Sequence, residues 1–216
     1  MSDYSHELEN VIRETLDSEE INYDFDNDKG YFRFGIALPG KIKRVDVIID
    51  IKMDKFVTYV ICPLYADFEN EEQMARAAEF FCRVNYGLMN GNFELDFNDG
   101  EIRYKSFVNC DGVVPSATVI MDTIQCAAAM YSRYGKGLLQ ILFNDWAPED
   151  AVNLCENRLG SFISDLSDDD DEDEKDEEEP DDDDLDTEND DTEDVLSEEE
   201  VSAHLFDLLQ RLQQQE

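Results

Sequence analysis

The chain has 216 residues, 55 of them Asp or Glu against 17 Lys or Arg, and a formal net charge of -38. That balance counts against direct binding of nucleic acid or of an anionic membrane, because both need a basic surface. A chain this long buries roughly 70% of its unfolded surface, enough for one core without disulfide or metal staples.

The acidity is concentrated. Residues 165–200 hold 25 acids and one base, Lys175, whereas residues 1–164 hold 28 acids and 15 bases. The composition therefore divides the chain into a mildly acidic domain (1–164), an acidic linker expected to be disordered (165–196) and a C-terminal amphipathic helix (197–216). The start MSDYSHELEN has neither the basic nor the apolar region of a signal peptide. No run approaches the ~18 apolar residues of a membrane span. The five cysteines (62, 82, 110, 126, 155) are odd in number and form no C-x-x-C. They read as small buried hydrophobes of a reducing, cytoplasmic protein.

Leu8, Val11, Ile12 and Leu16 recur at helical spacing, with Ser5 placed to cap them. The period then changes to two. Ile21, Tyr23 and Phe25 alternate up to the turn Asn27-Asp28-Lys29-Gly30, and Phe32, Phe34, Ile36 and Leu38 alternate up to Pro39-Gly40. Val45, Val47, Ile49 and Ile51 follow, then the β-branched and aromatic run 56–62. This is an antiparallel meander with one apolar face. Helical period returns over 70–88 (Met74, Ala77, Ala78, Phe81, Val84), with Asn90-Gly91 as the expected stop.

Residues 92–108 read as a hairpin. A two-residue type I′ turn at Asp99-Gly100 pairs Phe97 with Ile102 and Leu95 with Tyr104 on one face, and Asp96 with Arg103 and Glu94 with Lys105 on the other. The longest helical segment, 115–143, presents Val119, Ile120, Ile124, Ala127, Ala128 and Tyr131 to a core, and Gly135 and Gly137 are expected to kink or end it. A short helix starts after Trp146, with Pro148 in its first turn and Val152, Cys155 and Leu159 facing inward. The order α-βββ(β)-α-ββ-α, then a short α, is α+β: an antiparallel sheet of about five to six strands with helices on one face.

The passage AEFFCRVNYGLMNGNFELDFNDGEIRYKSFV (78–108) sets Asn85 late in a helix before a Gly91-x-Phe93 strand entry and a tight Asp-Gly hairpin. With this order of elements, the long helix carrying Ile120, Ile124 and Tyr131, and the Ala147-Pro148-Glu149-Asp150-Ala151 start, it resembles the YbjN-domain family of bacterial sensory transduction regulators over roughly residues 1–160. The resemblance implies a fold like that of type III secretion chaperones. It also implies a small non-enzymatic protein, dimeric through helix or sheet packing, that binds other proteins. It supplies no catalytic residues, and the acidic linker and terminal helix are not part of it.

Motifs of chemistry are not found. The two histidines, His6 and His204, lie near the chain ends, and no phosphate-loop, dinucleotide, zinc-protease or nucleophile-elbow pattern occurs. Gly135-Lys136-Gly137 sits inside a helical pattern rather than between strand and helix. Asp24, Asp26 and Asp28 fit the first acidic positions of a calcium loop, but Lys29 and Gly35 stand where its Gly and bidentate Glu belong. Cys110 reads as an inert loop cysteine, with no cation beside it to lower its pKa. No cofactor or metal is expected. Lys41, Lys43 and Arg44 cluster without evident partners.

Ser197 and Glu200 match a capping box, and Val201, Leu205, Leu208, Leu209 and Leu212 form an apolar stripe behind it. That stripe is useful only docked, either on its own domain or on another protein. Three readings follow. The first is a non-enzymatic protein-binding or regulatory module. The second is an acidic decoy for a basic protein, whose binding vanishes by ~0.5 M salt. The third is an enzyme with an unrecognised, polar pocket.

Overall fold

The computed structural model describes residues 3–156. The order is α1 (His6–Ser18), β1 (Asp24–Asp26), β2 (Tyr31–Ala37), β3 (Arg44–Ile51), β4 (Lys55–Tyr65), α2 (Glu71–Tyr86), β5 (Asn92–Leu95), β6 (Glu101–Asn109), α3 (Ala117–Phe143) and α4 (Pro148–Cys155). The six strands form one antiparallel sheet in the order β1-β2-β3-β4-β6-β5, so β1 and β5 are its edges. This is the α+β architecture expected. Leu159, the acidic linker and the stripe from Val201 to Leu212 lie outside the described residues.

Alternation puts Phe32, Phe34, Val47, Ile49, Phe56, Val60, Ile102 and Tyr104 on one face, all buried. The helix α3 crosses that face, contributing Ile120, Ile124, Ala127, Ala128 and Tyr131. Two polar contacts fix it there: Thr58 and Thr123 share a buried hydrogen bond (2.8 Å), and the Tyr131 hydroxyl donates to the Val60 carbonyl (2.9 Å). Val119 is an exception to the expected buried set; it lies in the first turn of α3 and is exposed. Ser116 caps this helix and Ser5 caps α1, each accepting from the backbone N–H three residues on.

Gly135 and Gly137 do not end α3, which runs on to Phe143. They allow close approach instead. A Cβ on Gly137 would stand 2.5 Å from the Ala151 carbonyl of α4, and the Gly137 N–H donates to Cys155 Sγ (3.3 Å). The helix stop expected at Asn90-Gly91 lies earlier, at Gly87. Gly91 takes φ +73° to open β5 beneath the Tyr104 ring.

The hairpin exists with its faces as expected, but its register is two residues away. Phe93 pairs with Tyr104, Leu95 with Ile102 and Glu94 with Arg103. A type I′ turn needs positive φ at both central residues, and Asp99 is not among the residues with positive φ, whereas Gly100 is (+77°). Four residues, Phe97 to Gly100, therefore make the loop, closed by Asp96 N–H to Glu101 O (2.9 Å) and Gly100 N–H to Asp96 O (2.8 Å). Phe97 thus leaves the strand and stands exposed in the loop.

Candidate functional site

The outer face of the sheet largely covers itself. Ile48, Tyr59 and Ile61 are half-buried, and the Arg103 guanidinium lies 4.6 Å above the Tyr59 ring. Glu94 holds Arg103 Nε (2.8 Å) and Lys105 Nζ (3.0 Å), so one carboxylate serves both bases, and Asp96 instead caps its own loop at Asn98. Burial works against ionisation of Glu94. The hydrogen bonds from Lys105 and Arg103 outweigh it and hold the carboxyl below its ordinary range. A depressed carboxyl pKa adds stability above the unfolded-state pKa, and that stability fades as pH falls through the folded one. Glu94→Gln is therefore expected to lose less stability than the wild type between neutral pH and pH ~3, measured by urea unfolding at each pH.

An exposed apolar surface lies elsewhere. Between α2 and the edge strand β5 runs an open groove of about 530 Å³, lined by Ala78, Phe81, Cys82, Tyr86, Leu95 and Phe97. Helical spacing brings Ala78, Phe81, Cys82 and Tyr86 onto one side of α2. Phe81 stacks on Phe93 (5.3 Å between ring centres) and forms the floor. Tyr86 is 96% exposed and Phe97 62%, too exposed for core residues. Cys82, expected to be buried, lies open in the groove, whereas Cys62, Cys110 and Cys155 are buried. Burial pushes the Cys62 thiol up to about 11 and those of Cys110 and Cys155 upward.

Asn85 joins helix to strand. Its amide donates to the Phe93 carbonyl (2.9 Å) and accepts from the Phe93 N–H (2.8 Å), so one side chain stands in for a neighbouring strand at the sheet edge. Sequence alone marked Asn85 as part of a pattern without this role. Asn85→Ala strips both partners, and is expected to cost about 1–3 kcal/mol in chemical denaturation and to speed amide exchange at Phe93.

This latch and the hairpin lie inside residues 9–140, which match the family model YbjN, described as a putative bacterial sensory transduction regulator. The match covers more than half of the chain. The chain belongs to the YbjN family. No curated protein and no solved structure shows significant similarity to it. The YbjN match contains both walls of the groove and ends near the close of α3. The helix α4 lies beyond it, yet packs on α2 and α3, with Arg83 reaching Glu149 (3.7 Å). The family is described as a regulator and not by an enzymatic activity.

Other residues singled out from sequence separate from this site. Asp26 accepts from the N–H groups of Asp28 and Lys29 (3.0 Å each), which is a turn. Lys41, Lys43 and Arg44 are exposed beside β3 and form no ion pair among the described residues. Among the same residues no three His, Cys, Asp or Glu side chains gather as a metal site, and no helix is long and apolar enough to cross a membrane. The groove residues Tyr86, Leu95 and Phe97 were not legible as a site, because Leu95 and Phe97 fit a strand core equally well.

Proposed function

We propose that this YbjN-family chain is a non-enzymatic, protein-binding regulatory module of the cytoplasm, and that its domain engages partners through the groove between α2 and β5. The observation that carries this reading is the exposure of Tyr86 and Phe97 on either side of a stacked aromatic floor. Large aromatics held open to water cost solvation and gain it back only when covered, the usual composition of a binding hot spot. The apolar stripe Val201, Leu205, Leu208, Leu209 and Leu212 supplies a second docking element, supported by its helical spacing and capping box.

Affinity capture with the full chain, the Tyr86→Ser/Phe97→Ser variant and a chain lacking residues 197–216 tests both surfaces. Loss of partners from the double variant supports the groove. A partner list identical to that of the wild type removes it, and an unchanged list after the deletion removes the terminal stripe. Both substituted side chains are exposed, so the melting temperature of the double variant should match the wild type.

A further inference from the structure

The chemistry of the groove's occupant can be read from its backbone edge and its charge, and this rests on the groove being the binding surface. In β5 the N–H and C=O of Phe93 point away from β6 and are taken by Asn85. By the two-residue alternation of a strand, those of Leu95 point the same way, and no side chain among the described residues takes them. A free backbone donor and acceptor beside an apolar floor suit an added extended segment, with its side chains alternating between groove and solvent.

The charge specifies the solvent-facing side chains. The stretch that builds the groove, residues 66–101, carries nine carboxylates and two arginines. Both arginines are already engaged: Arg76 with Asp145, and Arg83 with Glu79 and Glu149. Among the described residues, Glu69 just before α2, Glu71 and Glu72 in its first turn and Asp99 in the hairpin loop form no ion pair, and Asp96 feels Arg103 without forming an ion pair with it. The Ala66 N–H, which bonds the Gly100 carbonyl (2.9 Å), brings the chain leading into α2 against that loop. An apolar groove with an uncompensated negative rim selects a positively charged occupant and repels a second copy of this chain, which carries -38.

We propose that the groove between α2 and β5 binds an extended segment of a partner protein in which apolar residues alternate with lysine or arginine. The apolar side chains cover Phe81, Cys82 and Leu95, one backbone pair forms with Leu95, and the basic side chains face the rim. The span from Ala78 to Tyr86 is about 12 Å at helical rise, matching roughly four extended residues.

The test uses fluorescence anisotropy of the full chain with a labelled peptide alternating leucine and lysine. Three comparison peptides are the same composition in scrambled order, and the alternating sequence with glutamine or with glutamate in place of lysine. The expected result is that the leucine–lysine peptide binds about tenfold or more tighter than the scrambled and glutamine forms, and loses about tenfold with Tyr86→Ser/Phe97→Ser. Should the glutamine or glutamate peptide bind as tightly as the lysine one, and all lose affinity in the variant, the cationic specificity is overturned while the groove stands. If scrambled and alternating lysine peptides bind alike and the variant changes nothing, binding belongs to the acidic stretch 165–200, and both the specificity and the groove are overturned. Absence of binding by all four overturns the proposed occupant, leaving the groove to the capture experiment.

Discussion

Tyr131→Ala is expected to destabilise the domain by about 3–5 kcal/mol, the range for losing a large buried aromatic. The ring is fully buried on α3 and meets Phe93 edge-on at 5.3 Å. Its hydroxyl donates to the Val60 carbonyl, with the Ile102 carbonyl 3.4 Å away, beside the stretch where the β4–β6 register shifts between Ile61 and Tyr65. Tyr131→Phe keeps the ring and removes that donor, so it is expected to cost about 1–2 kcal/mol by urea unfolding. A cost for Phe equal to that for Ala would place the whole effect in the hydrogen bond.

The same residue predicts an alkaline limit. Burial pushes the Tyr131 hydroxyl well above its ordinary 10 and that of Tyr134 up to about 12. A raised folded pKa contributes stability that is complete below the unfolded value and is lost as pH climbs through the folded one. Stability should therefore fall from pH ~10 upward, and tyrosinate absorbance should rise together with loss of fold.

Gly100→Ala carries the second large effect. Gly100 holds φ +77°, and a Cβ there would stand far inside contact distance of the Ala66 carbonyl oxygen. Left-handed backbone costs a non-glycine residue about 1–2 kcal/mol, and the forced displacement of backbone about 1–3 more, so thermal and urea unfolding should show a loss of roughly 2–5 kcal/mol. The loop also carries Phe97 and the acidic rim, so the groove should weaken together with the fold. Gly112, also left-handed (φ +72°) but with open space around its Cβ position, is the control; Gly112→Ala should show the backbone cost alone.

These residues show where sequence reading succeeded and where it stopped. Hydrophobic period found every helix among the described residues and the meander, because one face of each element must be buried. It chose the wrong hairpin register because a slip of two residues leaves every side chain on the same face. Leu95, Phe97, Ile102 and Tyr104 satisfy either pairing, and only the backbone conformation of Asp99 separates them. The same ambiguity hid the site: Phe97 counted as a core residue until the four-residue loop carried it out to solvent. Gly137 looked like a helix breaker because its sequence neighbours say nothing of α4, which needs the missing Cβ. The family, by contrast, was legible from the passage 78–108, since the Asn85 latch and the hairpin are local in the chain.

The groove is reported most directly by its own thiol. Cys82 lies open in it, Cys126 is half-buried, and the remaining three cysteines are buried. Alkylation of native full-length protein, followed residue by residue by mass spectrometry, should modify Cys82 fastest. Adding the leucine–lysine peptide at saturation should slow Cys82 at least about tenfold while leaving Cys126 unchanged. An unchanged Cys82 rate with the peptide demonstrably bound would contradict the groove as the binding surface.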